Sequence, residues 1–202
     1  MDDSYKTIAD KSEGLFKDKG SRFFAYAFPV NTEEETKEII NQIRKEHHTA
    51  RHHCYAWRIG VKEISFRAND DGEPSSTAGK PILGQLIKFD LTNVLLVVVR
   101  YFGGTLLGTG GLIQAYRSAA ADALSHARIV IQTVKNYYRI KFTYLQMNDV
   151  MQVVKQENLN ISDTRFELDC QIDMVVRQSE SARIEQLFKP MKGVKIERIL
   201  TN

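Results

Sequence analysis

VVVRYFGGTLLGTGGLIQAY, residues 97–116, joins an apolar run to five glycines and then to a helical pattern. The run from Val94 to Val99 has no polar member, which marks a central strand. Gly103, Gly104, Gly108, Gly110 and Gly111 give the chain access to positive φ and remove side chains that would keep a ligand off the backbone. A strand, a glycine loop and a helix N-terminus in that order direct unpaired N–H groups and the positive end of a helix dipole at one place, which suits phosphate or carboxylate. Arg100 and Arg117 bracket the loop, and a guanidinium can contact either anion with two hydrogen bonds. The spacing matches neither GxxxxGK[ST] nor GxGxxG, so a sharp turn with no ligand explains the glycines equally well.

Working outward, the helix after the loop is expected to reach about Ala127, with Leu112, Ile113, Tyr116, Ala119, Ala120, Ala123 and Leu124 inward. On the other side, DDGEPSSTAGKP (70–81) is an acidic turn feeding a short helix that carries Ile82, Leu83, Leu86 and Ile87. Residues 53–59 alternate, with Tyr55, Trp57 and Ile59 on one face and Cys54, Ala56 and Arg58 on the other; residues 63–68 form their hairpin partner. One sheet face is expected to be the apolar one, leaving the other bare. Thr32 and Glu35 make a capping box for a helix with an Ile39, Ile40 and Ile43 stripe, ending near His47. Residues 14–30 read as extended segments around a turn at 17–20.

The second half has a different grammar: strand 131–143, helix 147–154, strands 159–167 and 169–177, helix 184–188 and strand 194–200. That is βαββαβ, a ferredoxin-like unit. The fold class is therefore α+β in two domains, an N-terminal α/β sandwich (1–129) and a ferredoxin-like domain (130–202), with no Pro- or Ser-rich linker between them.

The 202 residues are 43% hydrophobic, enough for a core in each domain. Neither an 18-residue apolar run nor a leader pattern occurs, so no membrane association and a cytoplasmic location are expected. Cys54 and Cys170 sit in separate patterns and are expected to be reduced thiols. The net charge of +3 is too small to announce a nucleic-acid partner, and the halves up to and beyond residue 130 carry 17 basic against 16 acidic and 11 against 9 residues. Any electropositive face must be made by local arrangement.

HHTARHHC (47–54) gathers four of the five histidines and a cysteine, but a closed zinc site needs four converging ligands, and alternation parts His53 from His52 and Cys54. No metal site and no cofactor are assigned. Asp70, Asp71 and Glu73 are compatible with a magnesium or acid/base role, although carboxylates in such an acidic turn more often cap backbone N–H groups. Ser75, Ser76 and Thr77 lack a nucleophile elbow, and no catalytic residue is assigned.

Three blocks, ARHHCYAW (50–57), DDGEPSSTAGKP (70–81) and VVRYFGGTLLGTGGLIQAY (98–116), together resemble the YigZ/IMPACT family over essentially the whole chain. Ser76 departs from the family's usual DDGEPSGTAG, which has glycine there. The resemblance implies a first domain like domain IV of elongation factor G and a second like its domain V. It also implies a link to translation, since eukaryotic IMPACT proteins restrain a kinase of initiation factor 2 by competing for its activator. Taken with the residue reading, it points to a non-enzymatic protein that binds RNA or a ribosome-associated partner. Arg51, His52, His53, Arg100, Arg117 and the five loop glycines would form the anion-binding surface, with the bare sheet face beside it. The alternatives are a metal-dependent phosphoester hydrolase or phosphotransferase using Asp70, Asp71 and Glu73, and a regulator that acts only through a protein partner.

Overall fold

Val94–Tyr101 (β6) is buried at every position but its last, and it takes the middle of a five-stranded antiparallel sheet. The computed structural model describes residues 3–167 and 169–199. It divides into two units, one of residues 5–132 and one of residues 1–4 with 133–202.

In the first unit the sheet order is β2-β3-β6-β4-β5, built from Ser12–Asp18 (β2), Ser21–Pro29 (β3), His52–Ile59 (β4), Ser65–Asn69 (β5) and β6. The tight turn at Lys19 (φ 44°) and Gly20 (φ 80°) makes β2 and β3 a hairpin. Gly79–Lys88 (α2) and Gly108–Ser125 (α3) pack on one sheet face, where Phe23, Ala25, Ala27, Cys54, Ala56, Leu96 and Val98 meet Ile82, Leu86, Tyr116 and the alanines of α3. The small residues matter here: a Cβ on Gly14 of β2 would strike the backbone of Ala123 in α3.

Glu33–Glu46 (α1) lies on the opposite face, its Ile40 and Ile43 against Trp57, Leu95, Val97 and Val99. Thr32 Oγ1 accepts the Glu35 N–H at 3.2 Å and a Glu35 carboxylate oxygen accepts the Asn31 N–H at 2.7 Å, which fixes where α1 begins. The expectation of one apolar face and one bare face is thus corrected. β6 is apolar on both sides because helices cover both sides, and the α1 side retains half-buried Tyr26, Phe28 and Tyr55.

The single strand expected at 131–143 is two strands, Ile129–Thr133 (β7) and Lys135–Thr143 (β8). They break at Val134, whose N–H donates to the Asp3 carbonyl and whose own carbonyl accepts from Gln178 N–H. β7 pairs with Ser4–Ile8 (β1), a strand that no sequence pattern marks.

The second unit has the order β11-β8-β10-β9, with Asn160–Phe166 (β9), Asp169–Arg177 (β10) and Lys195–Ile199 (β11) all antiparallel to their neighbours. Met147–Gln156 (α4) and Ser181–Phe188 (α5) complete a βαββαβ ferredoxin-like unit around Tyr138, Ile140, Phe142, Val150, Ile172, Met174, Ile184 and Phe188. The last strand is expected from sequence to reach Leu200, which lies outside the described residues.

Candidate anion-binding cleft

The three sequence blocks meet in one place. A cleft of about 490 Å³ is lined by Arg51 and His52 from the first block, Glu73 and Pro74 from the second, and Arg100, Phe102, Leu106, Leu107, Gly108, Thr109 and Leu112 from the third. Three adjoining strand and helix ends bring them there: the start of β4, the loop before α2, and the β6–α3 connection.

Arg100 is at the heart of it. Its side chain is 7% exposed, and its Nη1 donates to Glu73 Oε1 at 2.6 Å, with Glu73 itself 4% exposed. The same oxygen accepts the hydroxyl of Tyr116, from α3, at 2.7 Å. Burial above all, with Cys54 and Glu73 beside it, pushes the Tyr116 phenol well above the usual tyrosine range, so it stays a donor. The guanidinium lies 5.5 Å from the ring centres of both Phe23 and Phe102. Among the described residues, Arg100 Nε is cut off from water without a hydrogen-bond partner. Glu73 neutralises Arg100, so the net positive charge of the cleft comes from exposed Arg51.

His52 and His53 are adjacent but separate. His52 Nδ1 donates to the Asp71 carbonyl at 2.8 Å, and the ring forms part of the cleft wall. His53 faces the other side of the sheet, 7% exposed, with Nε2 donating to the His47 carbonyl at 3.2 Å. Burial holds its pKa below the ordinary histidine value, against the opposing effects of the His47 hydrogen bond and the Asp71 charge. The inclusion of His53 in an anion surface is therefore corrected: strand pleat sends it away. His47 joins Tyr26 and Tyr101 through hydrogen bonds of 2.8 and 2.9 Å, so the histidine cluster disperses as alternation requires.

The acidic turn disperses too. Asp70 accepts three backbone N–H bonds, from Ser76 (2.8 Å), Ala78 (3.0 Å) and Gly79 (2.8 Å), and so caps α2. Asp71 accepts Arg44 at 2.6 Å and the His53 N–H at 2.7 Å. Only Glu73 turns into the cleft. Among the described residues no three His, Cys, Asp or Glu side chains gather as a metal would require.

The five glycines do different jobs. Gly103 packs on the β2–β3 turn, where an added Cβ would collide with the Gly20–Ser21 peptide. Gly104 and Gly108 have φ of 88° and 70°, and Gly108 lines the cleft. Gly110 meets nothing within 4 Å of where its Cβ would be, and Gly111 would touch only Leu107. Of the five, therefore, only Gly108 forms part of the wall. Among the described residues no side chain caps α3, unlike α1, so the N–H groups of its first turn at Gly108 and Thr109 face the cleft without a side-chain cap. Arg117 is exposed on α3 outside the lining and does not pair with Arg100 across the loop. A helix of about 3.6 residues per turn places it off the face that holds Tyr116. Phe102, Leu106, Leu107 and Leu112 are site residues that the sequence-based expectation omits, although Phe102 and Leu106 interrupt the loop as conspicuous bulky residues.

An antiparallel sheet with helices on both faces, a cleft at one end of it and a ferredoxin-like unit in the same chain define a two-unit α+β protein. The Impact N-terminal domain matches residues 19–124. The chain is 33% identical over 178 residues to IMPACT family member YvyE of Bacillus subtilis (strain 168), covering 88% of this chain and 82% of that protein. It is 39% identical over 140 residues to IMPACT family member YigZ of Escherichia coli (strain K12), covering 68% and 69%. A crystal structure of a hypothetical protein superposes over 100% of both chains at 29% identity with a TM-score of 0.71. The chain belongs to the IMPACT family.

Proposed function

We propose that this protein is a non-enzymatic RNA-binding member of the IMPACT family, acting in the cytoplasm on the translation apparatus through RNA or a ribosome-associated partner. One observation carries the reading: three separate blocks bring Arg51, His52, the Arg100–Glu73 pair and the uncapped start of α3 to one cleft. Phosphate oxygens suit that set, since the helix offers N–H donors with a favourable dipole and Arg51 offers net charge that Glu73 does not cancel. The link to translation rests on the family. A metal-dependent hydrolase would need its carboxylates to face one ion, whereas Asp70 and Asp71 are engaged with backbone and Arg44.

The test is fluorescence anisotropy with a labelled RNA over a range of salt concentrations. Binding is expected to weaken as salt rises, with Arg51→Ala lowering both the affinity and the slope, the latter by about 0.7 for each phosphate that the arginine no longer neutralises. Arg117→Ala, outside the cleft, should match the unmodified protein. No binding at low salt, or indifference to Arg51→Ala, overturns the reading.

A further inference from the structure

The lining of the cleft divides into two chemically distinct parts. One is polar, with Arg51, His52, Glu73, Arg100 and Thr109; the other is apolar, with Pro74, Phe102, Leu106, Leu107 and Leu112. A site for phosphate alone gains nothing from apolar walls, because a phosphate oxygen is best served by donors and water. Leu112 belongs to the core of the first unit and Leu107 packs on it, but Leu106 is 83% exposed and Phe102 46%, so these two side chains are not explained by that core. The connection that carries them contains two glycines of positive φ, Gly104 and Gly108.

The polar part is also more than a charge. Glu73 compensates Arg100, leaving a hydrogen-bonding pair that offers the cleft an acceptor and a donor rather than a net cation. That buried pair is a built feature: Arg100 is 6% exposed, its Nε is unpartnered among the described residues, and Glu73 is clamped by Tyr116. A ligand that satisfies the whole lining therefore has a flat or apolar body, an edge with both donors and acceptors, and an anionic group for Arg51 and the start of α3. A nucleotide has all three. In a duplex its base is stacked and its pairing edge is occupied, so neither reaches a cleft of about 490 Å³. An unpaired nucleotide presents both, and its base can stack on an aromatic ring.

We propose that the cleft holds one unpaired nucleotide, so that the protein selects single-stranded over fully paired RNA. The proposal rests on the RNA-binding reading above and names the ligand of that same site.

The experiment compares two labelled RNAs of about twelve nucleotides per strand, one unstructured and one fully paired with blunt ends, at a single low salt concentration. The single strand is expected to bind at least tenfold more tightly. Phe102→Ala is expected to weaken the single strand by about tenfold and leave duplex binding unchanged, in line with the removal of one stacked base. Leu106→Ala, at a position exposed enough to leave folding untouched, should weaken the single strand in the same direction, and melting curves confirm that both variants fold. Duplex binding equal to or tighter than the single strand overturns the proposal while leaving RNA binding intact, and so does indifference of the single strand to both variants. Failure of both RNAs to bind overturns the RNA-binding reading itself, and this proposal with it.

Discussion

Ser76 holds a φ of 65°, in the left-handed region that favours glycine, and its N–H donates to Asp70 at 2.8 Å. That conformation suits a glycine, the residue in the DDGEPSGTAG pattern that the acidic turn resembles. A side chain there costs about 1–2 kcal/mol, part of which glycine would return through its freer unfolded chain. Ser76→Gly is therefore expected to stabilise the protein by about 0.5–1 kcal/mol, measured as a rise in the urea midpoint with unchanged slope; a fall would show that the serine makes a compensating contact. The same turn shows how far residue types carry. Asp70, Asp71 and Glu73 share chemistry and lie within four positions, yet one caps a helix, one joins Arg44 to β4, and one is buried with Arg100. The capping alternative could be read from the sequence. Which acid would turn inward could not, because Arg100 and Tyr116 lie 27 and 43 residues away.

At the scale of elements, the alternation of β4 was legible, and it correctly separates His52 from His53. What alternation does not say is what covers each face. His53 lies beneath α1 and the Asp71 turn, and its folded pKa is lowered from 6.5 by burial. The unfolded chain therefore takes up a proton at higher pH than the folded one. This contribution to stability is full above about pH 6.5 and is lost as the pH falls from there through the folded value. Urea midpoints measured from about pH 7.5 to about pH 5.5 should decline, and the decline should be smaller in His53→Gln; parallel declines would place the titration elsewhere. For the glycine loop, strand, turn and helix were all legible from 97–116. The separate duties of the glycines were not, since Gly103 is required by the distant Gly20–Ser21 turn that it packs against. Arg100 and Arg117 looked equivalent around the loop, but a strand's end and a helix's outer face aim them differently.

For the whole molecule, each unit has a hydrophobic core of its own: the first on both faces of the five-stranded sheet, the second between its sheet and α4 and α5. A fragment of residues 5–132 is expected to fold alone, with a cooperative thermal transition by circular dichroism. A broad, non-cooperative melt would show that the remaining chain is needed. The order of the elements other than β1 and the break at Val134, the two-part α+β architecture and family membership could be read from the sequence, because periodicity, glycine and proline positions and motif spacing are local properties of the chain. The two-sided burial of the sheet, the division of strand 131–143 at Val134 and the pairing of β1 were decided only in three dimensions, where each depends on backbone groups far apart in sequence. The cleft belongs to the second kind. Its residues were visible as three blocks, but the buried Arg100–Glu73–Tyr116 set and the apolar rim exist only once β4, the acidic turn and the β6–α3 loop are packed together, since buried charges persist only when their partners arrive with them.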